Sequence, residues 1–567
     1  MNQPGNPVVA LTDRCWAFLA DHEFYLRLRA GLPVTAMPGF GADYVAGRAA
    51  FFRQIATEIT ALEKTELTPA DQDTLGYLRG WCRRELIAER CYWLEHDLTP
   101  YRFSEISIAI DLVLGQFDFC GPEDADRYLM LVDDLGRLLE AVRDKVTAQA
   151  ARGIRIAAAA VPGVSRTLSM LAGSLQRRLT VQPSRTARLA PARAAALAES
   201  TARTIDGRII PAVGGLRELI SPGYAASAPS RVGWAGYAGG DVAYRDFAWR
   251  ETTVQADPEE LHRVGLQQCA MLADRMREVR ATLGFRGDEA EFNRRLEHEP
   301  RLYAASSTEI AQRLEAYITR IEPLLDEYFR DKPQTPYGVA RLDHALEDAL
   351  TFGYYEPATL TQPVGLYRFN GSNLTKRSLL TAAAVIYHEL IPGHHFHVAT
   401  TAESPTLPRL RREGFFVAAA FMEGWAEYAA GLGWEMGLYD DPWDAYGRLA
   451  QERLTATRLV VDTAMNLGRW DLEQARQFMR SNIADTEPAI RTESLRYATD
   501  VPGQALAYRV GYLKFAELRA RASARLGTRF DLRDFHQAAL GGGTVPLDVL
   551  TSRVDRYARG TPTLAKR

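Results

Sequence analysis

The stretch "IYHELIPGHHFH", Ile386 to His397, decides how the rest of the chain is read. The chain has ten histidines, and His388, His394, His395 and His397 fall within one run of ten residues. Glu389 follows the first of them. The compact zinc-protease motif H-E-x-x-H sets its two histidines one helical turn apart, so both rings leave the same face of a helix. Here the second histidine comes six residues on, with Pro392 and Gly393 between. The preceding "RSLLTAAAVIYHELI" is largely apolar and reads as a buried helix. Pro392 has no N–H and its ring crowds the preceding turn, so a regular hydrogen-bond ladder cannot run through it.

In a straight helix, six residues put His394 on the wrong side. Seven put His395 on the right side, but about 10 Å further along the axis, too far for one ion. The spacing therefore calls for a bulge or break at the Pro-Gly pair, and that distortion favours His394 over His395 as the partner of His388. The competing reading is a surface cluster without metal. Burying several imidazoles with neither partner nor metal is costly, and such clusters bind zinc readily.

A catalytic zinc takes a third protein ligand. "FMEGWAEYAAGL" offers Glu423 and Glu427 four residues apart on one helical face, inside an otherwise apolar helix expected over 415–437. A buried glutamate is as often half of a salt bridge as a metal ligand. Beside the histidine cluster the ligand reading gains weight.

Outward from this segment the chain is an ordinary globular sequence of 567 residues, 25% charged and 47% hydrophobic. A net charge of −3 implies no general attraction to nucleic acid or to an anionic membrane. The five cysteines, Cys15, Cys82, Cys91, Cys120 and Cys269, are scattered without a C-x-x-C pair. That argues for a reducing compartment and against a cysteine-ligated zinc. The N-terminal segment has neither a basic start nor an unbroken apolar core, and runs such as Leu379 to Tyr387 are too short to span a bilayer. A cytoplasmic protein is expected.

Most of the chain shows 3.6-residue periodicity, with helices expected over 73–96, 125–153, 261–284 and 512–527. The best strand signal is "GLYRFN", Gly365 to Asn370, an alternating run bounded by Pro363 and Gly371. It is a candidate edge for an extended peptide, with Asn370 fixing its end, or else part of a stabilising hairpin. The looser stretch Pro222 to Gly240 is the expected seam between an N-terminal helical lobe, residues 1–222, and a catalytic lobe, residues 223–567. Lys145 to Ala198 holds nine Lys/Arg and no acidic residue. A solvated face balanced by acids elsewhere explains it better than a basic rim for anionic substrates.

"HELIPGHH" followed about thirty residues later by "EGWAEY" resembles the bacterial domain of unknown function 885 family, predicted gluzincin-like zinc peptidases. The likeness continues through Gly239 to Thr253, Arg458 to Trp470, Pro502 to Arg519 and Phe530 to Leu550, and is weaker before Pro222. The histidine motif is also similar to those of thimet-oligopeptidase-like and carboxypeptidase Taq-like helical peptidases, and to the lengthened helix of dipeptidyl peptidase III. The resemblance implies a mainly α-helical, zincin-like body with a deep channel, a small β element near the active-site helix, and Zn2+ held by His388, His394 and Glu423.

In such an arrangement the Glu389 carboxylate takes a proton from a water on the metal and passes it to the leaving nitrogen. Tyr508 resembles the family position for the oxyanion donor, with Tyr512 its weaker i+4 neighbour. Both are equally readable as core aromatics. Arg458 and Asp462, four apart on one helix, either pair with each other or support the site. In the second case Asp462 orients a zinc histidine, and Arg458 meets Glu423 or a substrate carboxylate. His395 and Glu427 are further candidates for support or substrate contact.

The expected function is zinc-dependent hydrolysis of short peptides or peptide-like amides. The alternative is a zinc scaffold serving a specialised, non-proteolytic biosynthetic step, or only binding a ligand. Its motive is Asn466, which stands where the resembling family commonly has a histidine. Asn466 donates a hydrogen bond but does not titrate.

Overall fold

The computed structural model describes residues 5–344, 347, 353–360, 362–414 and 417–560, apart from the Ser104 side chain. The protein is mainly α-helical, with one three-stranded sheet. The predicted helices appear as Pro69–Cys91, Glu123–Ala151, Pro258–Thr282, Ala419–Leu432 and Leu506–Leu526. Phe415 and Phe416, at the start of the helix expected over 415–437, lie outside the described residues. Starts follow local chemistry. Thr68 and Asp71 form a reciprocal capping box, and the Asp441 side chain accepts from the Trp443 N–H at the head of Pro442–Asn466.

The main apolar core draws on both sides of the expected seam. Leu11, Leu19, Phe52 and Trp81 join Ile386, Tyr387, Phe421, Trp425 and Phe515 in one buried cluster. Residues such as Leu114, Tyr128, Leu135, Leu168 and Leu216 build a second cluster of their own. Fully burying one such side chain stabilises by about 1.5–3 kcal/mol. The seam itself holds the short helix Pro222–Ser227 and a 3-10 turn at Trp234–Gly236. Four of the nine basic residues of that stretch pair with acids elsewhere: Lys145 with Asp97, Arg178 with Asp111, Arg188 with Asp118 and Arg193 with Asp126.

Two close helix pairings set up the site. Pro258–Thr282 runs against Pro442–Asn466, and Ala419–Leu432 crosses Leu506–Leu526. At the second crossing a Cβ on Gly424 would lie 2.3 Å from the Gly511 Cα, so both positions must be glycine for the backbones to meet. That contact brings the Tyr508 segment beside Glu423.

The sheet has the order β1-β3-β2, with β1 Tyr337–Arg341, β2 Tyr354–Glu356 and β3 Gly365–Phe369. β1 pairs with β3 in parallel, and β2 pairs with it antiparallel. The predicted strand at Gly365 is therefore the middle one. Both its edges are paired, so it offers none to a peptide. The Asn370 side chain does fix its end, donating to the Glu347 carbonyl at 2.7 Å and accepting from the Ser372 N–H at 2.9 Å.

Candidate metal centre

The histidine motif breaks where Pro392 and Gly393 require. One helix, Ala382–Glu389, ends just after His388, and a new one, His394–Ala402, begins at His394. A Cβ on Gly393 would sit 1.8 Å from the His388 carbonyl oxygen, so only glycine lets the chain double back this tightly. The Trp425 indole N–H holds the turn by donating to the Pro392 carbonyl at 2.9 Å.

The turn brings His394 against His388, with ring centroids 4.8 Å apart at 85°. Glu423 closes the group. Its Oε2 lies 3.4 Å from His388 Nε2 and 3.4 Å from His394 Nε2. One ligand atom from each of the three falls within 4.8 Å of the others. Glu423 Oε2 is buried yet makes no hydrogen bond. An orphaned, buried carboxylate oxygen facing two imidazole nitrogens is costly unless a cation satisfies it. Two histidines and a glutamate are a donor set that hydrolytic zinc takes, so the residues present fit the ion.

The electrostatics point the same way. Burial alone would lower the His388 imidazole, but its contacts with Glu423 and Glu427 push it up to about 10. Burial opposes ionisation of Glu423, yet His394 and His388 hold it well below the usual carboxylate range. The pocket thus favours positive charge where the three donors meet.

Glu427 stands behind His388. Its Oε1 lies 3.1 Å from His388 Nδ1, while Oε2 accepts from Arg448 Nη1 at 2.9 Å. Arg448 also donates to the Glu427 carbonyl at 2.9 Å and to Glu452 at 3.2 Å. Against its burial, Arg448 and His388 hold Glu427 near 2. Arg448 escaped the sequence reading. The signal for it was a charged pair, Arg448 and Glu452, one turn apart in a helix that is otherwise buried.

Glu389 faces the sheet. Its Oε2 accepts the Tyr355 backbone N–H at 3.0 Å, and burial raises its proton affinity above the ordinary carboxylate value. Tyr355 was also missed, because β2 is only three residues long and too short to show a period. His395 serves the same sheet: Nδ1 accepts from the Tyr355 hydroxyl at 3.1 Å and Nε2 donates to the Thr335 carbonyl at 3.0 Å. With both nitrogens occupied, His395 is a strut. His397 is equally internal, its Nε2 2.9 Å from the Thr544 hydroxyl.

The Tyr508 ring lies near-parallel to His388 with centroids 6.4 Å apart. Burial and the Glu423 charge raise its phenol to about 12, so it is a proton donor at neutral pH. Tyr512 instead packs against Arg509, whose guanidinium is 4.5 Å from its ring.

Three expectations need correction. Asp462 does not meet a histidine of the cluster; the carboxylate facing His388 Nδ1 is that of Glu427. Fourteen residues separate Asp462 from Arg448 on their helix, about 21 Å of rise. Asp462 accepts from the Tyr244 hydroxyl at 2.7 Å and from the Gly503 N–H at 3.0 Å, and so anchors the loop ahead of Tyr508. Arg458 pairs neither with Asp462 nor with Glu423, but with Glu493 at 3.2 Å. Asn466, expected among the residues supporting the site, is turned into the core. It is fully buried, donating to the Asp462 and Tyr497 carbonyls at 3.0 Å each and accepting from the Trp234 N–H at 3.2 Å. It is a packing residue that ties the 234–236 turn to the core.

Neither of two surface clefts, about 580 Å3 along Trp470 to Ser481 and about 380 Å3 beside Gly115 to Phe119, borders the cluster. No helix of the described residues is long and apolar enough to cross a membrane.

A family profile described as "Bacterial protein of unknown function (DUF885)" matches residues 26–554. The chain belongs to the DUF885 family. Two solved structures share its fold. One, a Colwellia psychrerythraea protein described as a candidate lipoprotein, is 23% identical with a TM-score of 0.85, over 98% of this chain and 99% of that one. The other, from Shewanella oneidensis and described as a candidate lipoprotein of unknown function, is 15% identical with a TM-score of 0.70, over 96% and 98%. No curated protein matches the chain.

Proposed function

We propose that this DUF885 protein is a zinc-dependent hydrolase of peptide or peptide-like amide bonds. The observation that carries the reading is the convergence of His388 Nε2, His394 Nε2 and the unbonded Glu423 Oε2, with the Glu389 carboxylate adjoining. When bound, zinc supplies Lewis acidity, making a water more acidic and a carbonyl more electrophilic.

The chain's own residues do the rest. Glu389 is held by the Tyr355 N–H and made more basic by burial, which suits a group that takes a proton from water and delivers it to the leaving nitrogen. Tyr508, protonated at neutral pH, donates to the oxyanion as the carbonyl becomes tetrahedral. Glu427 and Arg448 fix the His388 ring. β2 is an edge strand next to Glu389, and it replaces β3 as the candidate for aligning an extended peptide.

The test is zinc-supplemented protein against a pool of di- to hexapeptides, read by mass spectrometry. Wild type should cleave members of the pool. Glu389→Gln should keep its metal and lose most turnover, and Tyr508→Phe should lose about 100- to 1000-fold. Near-normal turnover in zinc-loaded Glu389→Gln would exclude the general-base mechanism. A pool left wholly uncleaved by zinc-loaded wild type would favour the alternative, a zinc scaffold serving a non-proteolytic step or only binding a ligand.

A further inference from the structure

A second polar cluster stands beside Tyr508 and takes no part in the metal set. The Arg458 guanidinium lies 4.7 Å from the centroid of the Tyr508 ring. Its Nε donates to the Tyr497 hydroxyl at 2.9 Å and its Nη2 to Glu493 at 3.2 Å. Its Nη1 makes no hydrogen bond among the described residues, and the side chain keeps 11% exposure. Arg496 reaches the same Glu493 oxygen at 3.3 Å and Gln504 at 2.7 Å, with 15% exposure. Among the described residues Glu493 is the one carboxylate in ion-pair contact with either arginine. Two further acids lie near: Asp500 accepts the Tyr101 N–H at 3.1 Å, and Asp485 the Thr486 N–H at 2.7 Å.

Two guanidiniums thus share one carboxylate at the wall of the site, with a guanidinium nitrogen left open next to the candidate oxyanion donor. Neither arginine has a role in the hydrolytic chemistry. A planar guanidinium with one nitrogen unengaged and a little of its surface exposed is suited to a carboxylate. Arg458 is one aromatic ring removed from His388. An extended peptide advances about 3.5 Å per residue, so the guanidinium is within about three residues of a carbonyl held over the metal set.

We propose that Arg458, backed by Arg496, binds a carboxylate of the substrate close to the scissile amide. The preferred substrates are then short peptides or acylated amino acids bearing an anionic group there, either a free C-terminus or an acidic side chain. This inference rests on the hydrolase reading above and names the substrate class for that site.

The test is calorimetric titration of zinc-loaded, full-length Glu389→Gln protein, which should bind without turning over. Three N-acetyl tripeptides are compared: a free acid, its C-terminal amide, and the amide carrying aspartate at the last position. The free acid or the aspartyl amide should bind at least about tenfold tighter than the neutral amide, and which of the two does so identifies the source of the carboxylate. Adding Arg458→Ala should abolish the preference, and Arg458→Lys should restore part of it. Equal binding of all three ligands, binding of none, or an unchanged preference in folded Arg458→Ala would overturn the proposal. If Arg458→Ala does not fold, the three-ligand comparison and Arg458→Lys decide. A preference that stands while zinc-loaded wild type cleaves none of the ligands would instead count against the hydrolase reading.

Discussion

Nδ1 of His388 faces Oε1 of Glu427 at 3.1 Å, and Arg448 holds the other oxygen of that carboxylate at 2.9 Å. A histidine that binds metal through one nitrogen is aimed by what its other nitrogen meets, and loss of such a partner typically costs about 10- to 100-fold in metal affinity. Glu427→Gln should therefore weaken zinc binding by about that factor in a competition titration against a chromogenic chelator, with stoichiometry unchanged at saturation. Glu427→Ala should also lower thermal stability, because Arg448, fully buried, loses its main counter-charge. Unchanged affinity in both variants would show that His388 needs no such support.

His394 and His395 are neighbours with opposite duties. His394→Ala should abolish tight zinc binding, because Nε2 of His394 faces the shared Glu423 oxygen. His395→Ala should keep the zinc. It removes the partner of the part-buried Tyr355 hydroxyl and Thr335 carbonyl, at up to about 1 kcal/mol each, and should show as a slightly lower melting temperature. Loss of zinc from His395→Ala with His394→Ala intact would reverse the assignment.

Asn466→His should not improve hydrolysis. The imidazole has one N–H where the amide serves two carbonyls, and it must fit a site with no exposure. The expected outcome is destabilisation by about 1–3 kcal/mol in chemical denaturation, for one buried carbonyl left without its donor. A rise in peptide turnover with a neutral-pH titration would place position 466 in the chemistry after all.

Much of this centre was legible in the chain. Pro392 and Gly393 announced the helix break, because one cannot join a helical ladder and the other alone fits under the His388 carbonyl. The i, i+4 spacing of Glu423 and Glu427 put both carboxylates on one face, but spacing cannot say which meets both histidines. Glu423 does, because Ala419–Leu432 packs against both histidine helices, a long-range contact. Asp462 and Asn466 misled for the same reason. Their helical neighbours were visible in sequence, whereas their partners, Tyr244, Gly503, Trp234 and Tyr497, come from distant segments. β3 was found from its alternation. That it is the middle strand depends on β1 and β2, whose runs are too short or too mixed to register.

His536, like His96, His395 and His397, is a histidine whose burial lowers its proton affinity and so makes folding acid-sensitive. Its Nδ1 donates to the Tyr328 carbonyl at 2.8 Å and its Nε2 accepts from the Tyr428 hydroxyl at 2.9 Å, so it is held neutral. Burial, with a smaller push from Arg519, lowers it to about 3. The unfolded chain takes up a proton near pH 6.5 and the folded one only near 3, so stability is full above about 6.5 and falls as pH drops through that window. The limiting slope for one such group is about 1.4 kcal/mol per pH unit. His536→Gln should flatten the dependence of unfolding free energy on pH between 6.5 and 4. An unaltered slope would assign the acid sensitivity to other groups.

The most direct test of the metal centre is the zinc stoichiometry of metal-stripped wild type and Glu423→Ala, measured side by side by equilibrium titration with elemental analysis. His388, His394 and Glu423 forming one site predicts about one tightly held zinc per chain in wild type, and its loss in a folded Glu423→Ala protein. A wild-type chain that binds no zinc tightly, or a Glu423→Ala chain that holds it as firmly as wild type, would contradict the site.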